Sequence, residues 1–123
     1  MATLADSRAA ELLSQRGLDL LESGRPAEAA QAFRAAIASN NKYFEAHHGL
    51  VRALRDAGRL EQSIAAAMAL TTMNPNDPLA HTALSVSLKR AGHIKEAEAA
   101  AAQARILQWT QETHAAPHAT WIH

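Results

Sequence analysis

The sequence predicts an all-α protein, an α-solenoid of three stacked helix-turn-helix hairpins. Gly24, Gly58 and Gly92 recur every 34 residues in similar phrases: Leu21-Glu22-Ser23-Gly24-Arg25, Arg55-Asp56-Ala57-Gly58-Arg59 and Lys89-Arg90-Ala91-Gly92-His93. A fixed period of that length marks a repeat architecture. Apolar residues around each glycine recur at spacings of three and four, which sets them on one helix face. Hydrophobic residues make up 48% of the chain and aromatics only 4%. Much of the apolar content is alanine, the strongest helix former, so few β-branched or aromatic runs remain to build strands.

Each helix has its own signals. Leu13 and Leu20 give the apolar face of a helix over residues 7–23, stopped by Gly24, since glycine tolerates the left-handed conformation of a C-cap. Pro26 suits a first helical turn, where its missing N–H costs nothing, and Ala29, Phe33 and Ala36 carry that helix over 26–40. Leu50 and Leu54 place the third over 43–57, and Ser63, Ala67 and Leu70 the fourth over 60–73. Asn74-Pro75-Asn76-Asp77-Pro78 reads as a turn in which Asp77 caps and Pro78 opens a helix over 78–91, with Leu84 and Leu88 on its face. Ala97, Ala101 and Ala104 define the sixth, over 94–112.

A chain of 123 residues is enough for one modest domain. Twelve basic and twelve acidic residues give zero formal net charge, which argues against nucleic-acid or anionic-membrane partners, since both need a basic surplus. With no cysteine, disulfides, thiolate metal sites and thiol catalysis are excluded. The first residues lack a charged segment followed by an apolar one, and no run of about 18 apolar residues occurs, so a cytoplasmic location is the expectation.

With units starting at Ala10, Phe44 and Pro78, the chain resembles the tetratricopeptide repeat family. The eighth place of the unit, usually small, holds Gly17, Val51 and Ser85; the eleventh, large, holds Leu20, Leu54 and Leu88. Departures are Arg16 for leucine, the bulk of Val51, and Leu13, His47 and His81 where the family has a large residue, often tryptophan. The terminal proline is Asn41, Pro75 and Trp109, so the third unit's second helix has no stop there. The resemblance divides the chain into a lead-in over 1–6, a repeat domain over 7–112 and a tail over 113–123.

It also implies a right-handed superhelix whose first helices line a concave groove for a partner's peptide or helix. By the same resemblance the groove carries Ser14, Leu18 and Leu21 from the first unit, with Glu11 and Glu22. The second unit supplies His48, Arg52 and Arg55, with Glu45 and Asp56. The third supplies Leu79, Thr82, Val86, Lys89 and Arg90, while Tyr43 and Asp77 stand at the edge. Exposed leucines there mark an interaction surface, and the cations suit a carboxylate, from acidic side chains or a free C-terminus. Two plainer accounts stay open: a solvated face with Arg52 paired to Asp56, and leucines packed under residues 1–6 or in a self-association interface. The clamp that grips chaperone C-termini is not expected, because Ser14, Leu18, Gly49, Leu79 and Ala83 stand where it has Lys, Asn, Asn, Lys and Arg.

Seven histidines require a look at metal and acid–base chemistry. His47 and His81 share one place in the unit and read as half-buried packing residues, each hydrogen-bonded through one ring nitrogen. His48 faces the groove without a catalytic companion, and His93 sits in a turn. His114 and His118 have ligand spacing, but Pro117 interrupts the helix that would align them. Glu96 and Glu98 pair on an outer helix, and no phosphate loop, nucleophile elbow or HExxH is present. No cofactor, metal or catalytic role is expected. The tail, with Trp121-Ile122, is either an unstructured end or packs with Trp109 on a neighbouring surface, another copy's groove included. The function expected is a non-catalytic protein-interaction module, the alternative a scaffold that self-assembles through its exposed ends.

Overall fold

The computed structural model describes residues 2–115. It consists of α1 (Leu4–Glu22), α2 (Pro26–Ser39), α3 (Phe44–Asp56), α4 (Leu60–Met73), α5 (Pro78–Arg90) and α6 (Ile94–Ala115), with no strand among the described residues. Each helix packs on the next. The odd helices also touch in sequence, α1 on α3 and α3 on α5, with no comparable contact among the even ones. The first helices of the hairpins therefore form an inner layer and the second helices an outer one.

The same turn closes all three hairpins. Gly24, Gly58 and Gly92 have φ of +73°, +77° and +89°, a region that costs a residue with a Cβ about 1–2 kcal/mol. At each, the glycine N–H and the following N–H reach back into the last helical turn: Gly24 to Leu21 and Arg25 to Leu20, Gly58 to Arg55 and Arg59 to Leu54, Gly92 to Lys89 and His93 to Leu88. This is the Schellman arrangement, which satisfies carbonyls the helix end leaves open. The following residue then opens the next helix, the carbonyls of Arg25, Arg59 and His93 accepting from Ala29, Ser63 and Ala97.

Two helix ends differ from the sequence expectation by three residues. α1 starts at Leu4 rather than residue 7, because Thr3 and Asp6 form a capping box, each side chain accepting from the other's backbone N–H. α6 runs on to Ala115, past Trp109, where the family's proline would have stopped it. The expectations for Pro117, His118, Trp121 and Ile122 fall outside the described residues.

The core is thin and rich in alanine: Ala10, Ala29, Ala36, Ala46, Ala53 and Ala67 are all fully buried. Its largest buried side chain is Phe33, on α2. A Cβ built on Gly17 of α1 would stand 2.6 Å from the Phe33 ring, and one on Gly49 of α3 would meet the same ring more closely. The two glycines thus leave the space the ring fills. At the equivalent places one unit on, Ala67 replaces the phenylalanine while Val51 and Ala83 replace the glycines. Bulk has moved from the outer helix to the inner ones, which accounts for Val51 at a place that is usually small. Between α3, α4 and α5, Ser63 donates to the Val51 carbonyl (2.9 Å) and accepts from Ser87 (2.7 Å), so these two buried hydroxyls are satisfied.

His47 and His81 occupy equivalent sites. Each is half-buried and donates from Nε2 to a carbonyl six residues upstream, of Asn41 and Pro75 respectively, at 2.8 Å. A carbonyl only accepts, so both rings carry the Nε2 proton.

Two outcomes follow. Gly17→Ala or Gly49→Ala forces the buried ring to move, an overpacking cost of about 1–3 kcal/mol against a helix-propensity gain of about 1 kcal/mol. Urea unfolding of either variant should show a net loss of up to about 2 kcal/mol, and in a Phe33→Leu background the same change should become neutral or stabilising. Separately, the Thr3 backbone N–H, then its hydroxyl, hold the Asp6 carboxyl below its ordinary value of 3.8. The depressed pKa means that the capping contribution is present above 3.8 and lost as pH falls toward the folded-state value. Amide exchange at residues 4–7 should accelerate over that window while the core amides hold.

Candidate functional site

Among the described residues the inner layer forms an open recess of about 670 Å³ between α1, α3 and the start of α5. Phe33 and Gly49 lie at its base. Its apolar walls are Leu12, Leu18 and Leu79, and these are exposed, Leu12 at 65%, Leu79 at 66% and Leu18 at 40%. Large aliphatic side chains gain most from leaving water, so their convergence on one concavity sets this region apart from scattered surface leucines.

Charge is sorted across the recess. Glu11 of α1 and Glu45 of α3 border it toward the helix N-termini, and Arg52 borders it toward the C-terminus of α3. Beyond Arg52 lie Arg55 and Arg90. Burial disfavours the Arg55 charge most; Asp56 supports it, while Arg90 and Arg52 oppose it, so its pKa lies below the usual guanidinium value. The Arg52–Asp56 pair, expected from the sequence, is present at 3.7 Å between exposed side chains, a geometry worth little. Positive charge is therefore in local excess at this edge.

At the acidic edge one carboxylate links two helices. Asp77 Oδ1 accepts from the Leu79 N–H at 3.0 Å and caps α5, while Oδ2 accepts from His48 Nε2 at 3.3 Å. One carboxylate thus starts α5 and ties it to α3, holding Leu79 at the recess. Tyr43 stands beside Glu45 and Glu11; burial, then those two carboxylates, push its pKa above 10.0.

Of the residues expected in the groove, Ser14, Leu18, Tyr43, His48, Arg52 and Leu79 meet at this recess. Ser14 differs in being buried, at 4%, because it shares the inward stripe of α1 with Ala10 and Gly17. It is also the one buried side-chain polar atom without a hydrogen-bond partner among the described residues. Leu21 packs on the core rather than into the recess. Thr82 spends its hydroxyl on the Pro78 carbonyl of its own helix, 3.0 Å away, and Val86 stays exposed. Lys89 borders a separate recess with Ser85, Ile94 and Glu98, between α5 and α6. Leu12, Gln15, Phe33 and Gly49 were not expected there. The two glycines, at places where the other units hold larger residues, are the signal that points to Phe33.

Other titratable groups are dispersed. His93 stands 3.8 Å from both Glu61 and Glu96 in an exposed turn. Among the described residues no three His, Asp or Glu side chains are grouped to hold a metal ion, and no helix is long and apolar enough to cross a membrane. The Tyr43 environment gives a direct check: absorbance titration of the lone tyrosine should show a midpoint above 10.0, and Glu45→Gln should lower it.

Comparisons with known proteins agree with this architecture. No curated protein sequence matches the chain significantly. Among solved structures, the type III secretion translocator chaperone SycD of Yersinia enterocolitica (alternative dimer) superposes with a TM-score of 0.77 at 20% identity, over 85% of this chain and 80% of that one. MamA superposes with 0.78 at 20% identity, over 85% of this chain. The structure described as MamA MSR-1 C2 does so with 0.74 at 21%, over 88%. The chain spans 61% and 63% of those two proteins, respectively. At such identity the likeness is one of fold. The sequence pattern of the tetratricopeptide repeat matches residues 20–87, more than half of the chain, and with the 34-residue glycine period and three identical hairpin turns, the chain belongs to the tetratricopeptide repeat family.

Proposed function

We propose that this protein is a non-catalytic interaction module that holds a partner's peptide or helix in the groove of its inner layer. The observation that carries the reading is the recess between α1, α3 and α5, with exposed leucines above Phe33, carboxylates on one edge and arginines on the other. Stacked helical repeats of this kind present extended concave surfaces that serve in binding. A likeness in fold to a translocator chaperone fits such a role.

The partner segment brings a large apolar side chain to the leucines and a carboxylate to Arg52, Arg55 and Arg90. The apolar contact supplies most of the affinity, as buried anchors do at interfaces generally. The charges set orientation and encounter rate. Leu79 and Arg52 are the residues expected to matter most, because both border the recess and are open to solvent.

Quantitative affinity capture from the native cell tests this. Arg52→Glu with Arg90→Glu should weaken the captured partner by about tenfold or more, as loss of interfacial charge pairs does, with an unchanged circular dichroism spectrum. Lys89→Glu, in the separate recess between α5 and α6, should leave capture intact. Equal capture by all three proteins would remove the basic edge from the proposal.

A further inference from the structure

The outer face of α6 carries an apolar patch with its own charge pattern. α6 packs on α5, with Gln111 also donating to the Asn76 carbonyl in the turn before α5 at 2.7 Å, and Ala97, Ala100 and Ala104 are its buried residues. Trp109 lies nine residues after Ala100, half a turn away at 100° per residue, so it stands on the side opposite that contact. It is 67% exposed, and Ile106 beside it 58%. Arg105 and Glu112, both exposed, flank Trp109 along the helix.

Arg105 and Glu112 are seven residues apart, two helical turns or about 10.5 Å. Glu45 and Arg52, which border the recess on α3, are also seven residues apart, with the signs in the opposite order. With the two helices parallel, Arg105 meets Glu45 and Glu112 meets Arg52. Trp109, four residues after Arg105, then falls opposite Gly49, four residues after Glu45, which is where the recess opens over Phe33. Among the described residues α6 packs on α5 and has no substantial packing on α1 or α3, so it does not fill the groove of its own chain.

We propose that α6 of one copy lies in the groove of a second copy, parallel to its α3, with Trp109 as the anchor in the recess. This rests on the groove reading above and names one occupant of it. The two surfaces differ, so the contact is head-to-tail. Where the rotation between copies closes, every groove is filled in a ring; where it does not, an open chain keeps one unfilled groove and one unfilled α6.

Light-scattering mass between about 10 µM and about 1 mM, the range in which weak interfaces fill, tests this. The wild-type mass should rise above one chain, while Trp109→Ala and Leu79→Glu should each stay at one chain with unchanged helical content. Mixed together, those two variants should form a pair and stop there, because one retains an intact groove and the other an intact α6. Arg105→Glu should also stay single, and adding Glu45→Arg to the same chain should restore association. A wild type that stays single throughout, a Trp109→Ala variant that associates as the wild type does, or a mixture that forms no pair would each overturn the proposal. If association is absent and Arg52→Glu with Arg90→Glu still loses the captured partner, this inference fails and the groove reading stands. If Trp109→Ala abolishes association and that double variant keeps its partner, the second copy is an occupant of the groove and the foreign-partner reading fails.

Discussion

Phe33 sits where α1, α2 and α3 come together, and its ring fills the space left by two glycines. The contact does two things at once. It supplies the largest buried side chain in a core rich in alanine, and it sets the base of the recess that the inner layer opens to solvent. A phenylalanine removed from such a site typically costs about 3–5 kcal/mol, a large share of the marginal stability of a small domain. Stability and the shape of the candidate binding surface therefore depend on the same residue. The second interface solves the packing differently, with valine and alanines at the equivalent places.

Repetition of one turn gives the stack its regularity. Three glycines with left-handed φ end α1, α3 and α5 in the same way, so each hairpin closes with the same geometry and neighbouring hairpins stack in register. A solenoid built so has only nearest-neighbour contacts, and its ends lack a neighbour on one side. Among the described residues α6 is the last helix of the stack. There the capping turn that follows α2 and α4 is replaced by a longer helix carrying Ile106 and Trp109.

Charge placement in the inner layer serves both the helices and the surface. Glu45 near the start of α3 and Arg55, Lys89 and Arg90 in the last turns of α3 and α5 complement the helix dipoles. Because the inner helices run side by side, the same choice sorts acid to one edge of the recess and base to the other. A neutral chain thus acquires a polar groove without any surplus of charge.

By itself the sequence determined the period, the six helices, the hairpin glycines and the Asp77-Pro78 helix start. These depend on local chemistry: where an N–H lacks a partner, where φ must be positive, which face repeats every three or four residues. It also placed His47 and His81 correctly as packing residues, because the repeat gives both the same surroundings. Tertiary structure alone decided which inner-layer residues meet. Ser14 turned inward with Ala10 and Gly17, Lys89 went to the recess between α5 and α6, and Phe33 of an outer helix became the base of the cavity. The reason is physical. Helical phase fixes a residue's direction only relative to its own axis, whereas a recess depends on how closely two axes approach, and that distance was set by a ring from a third helix.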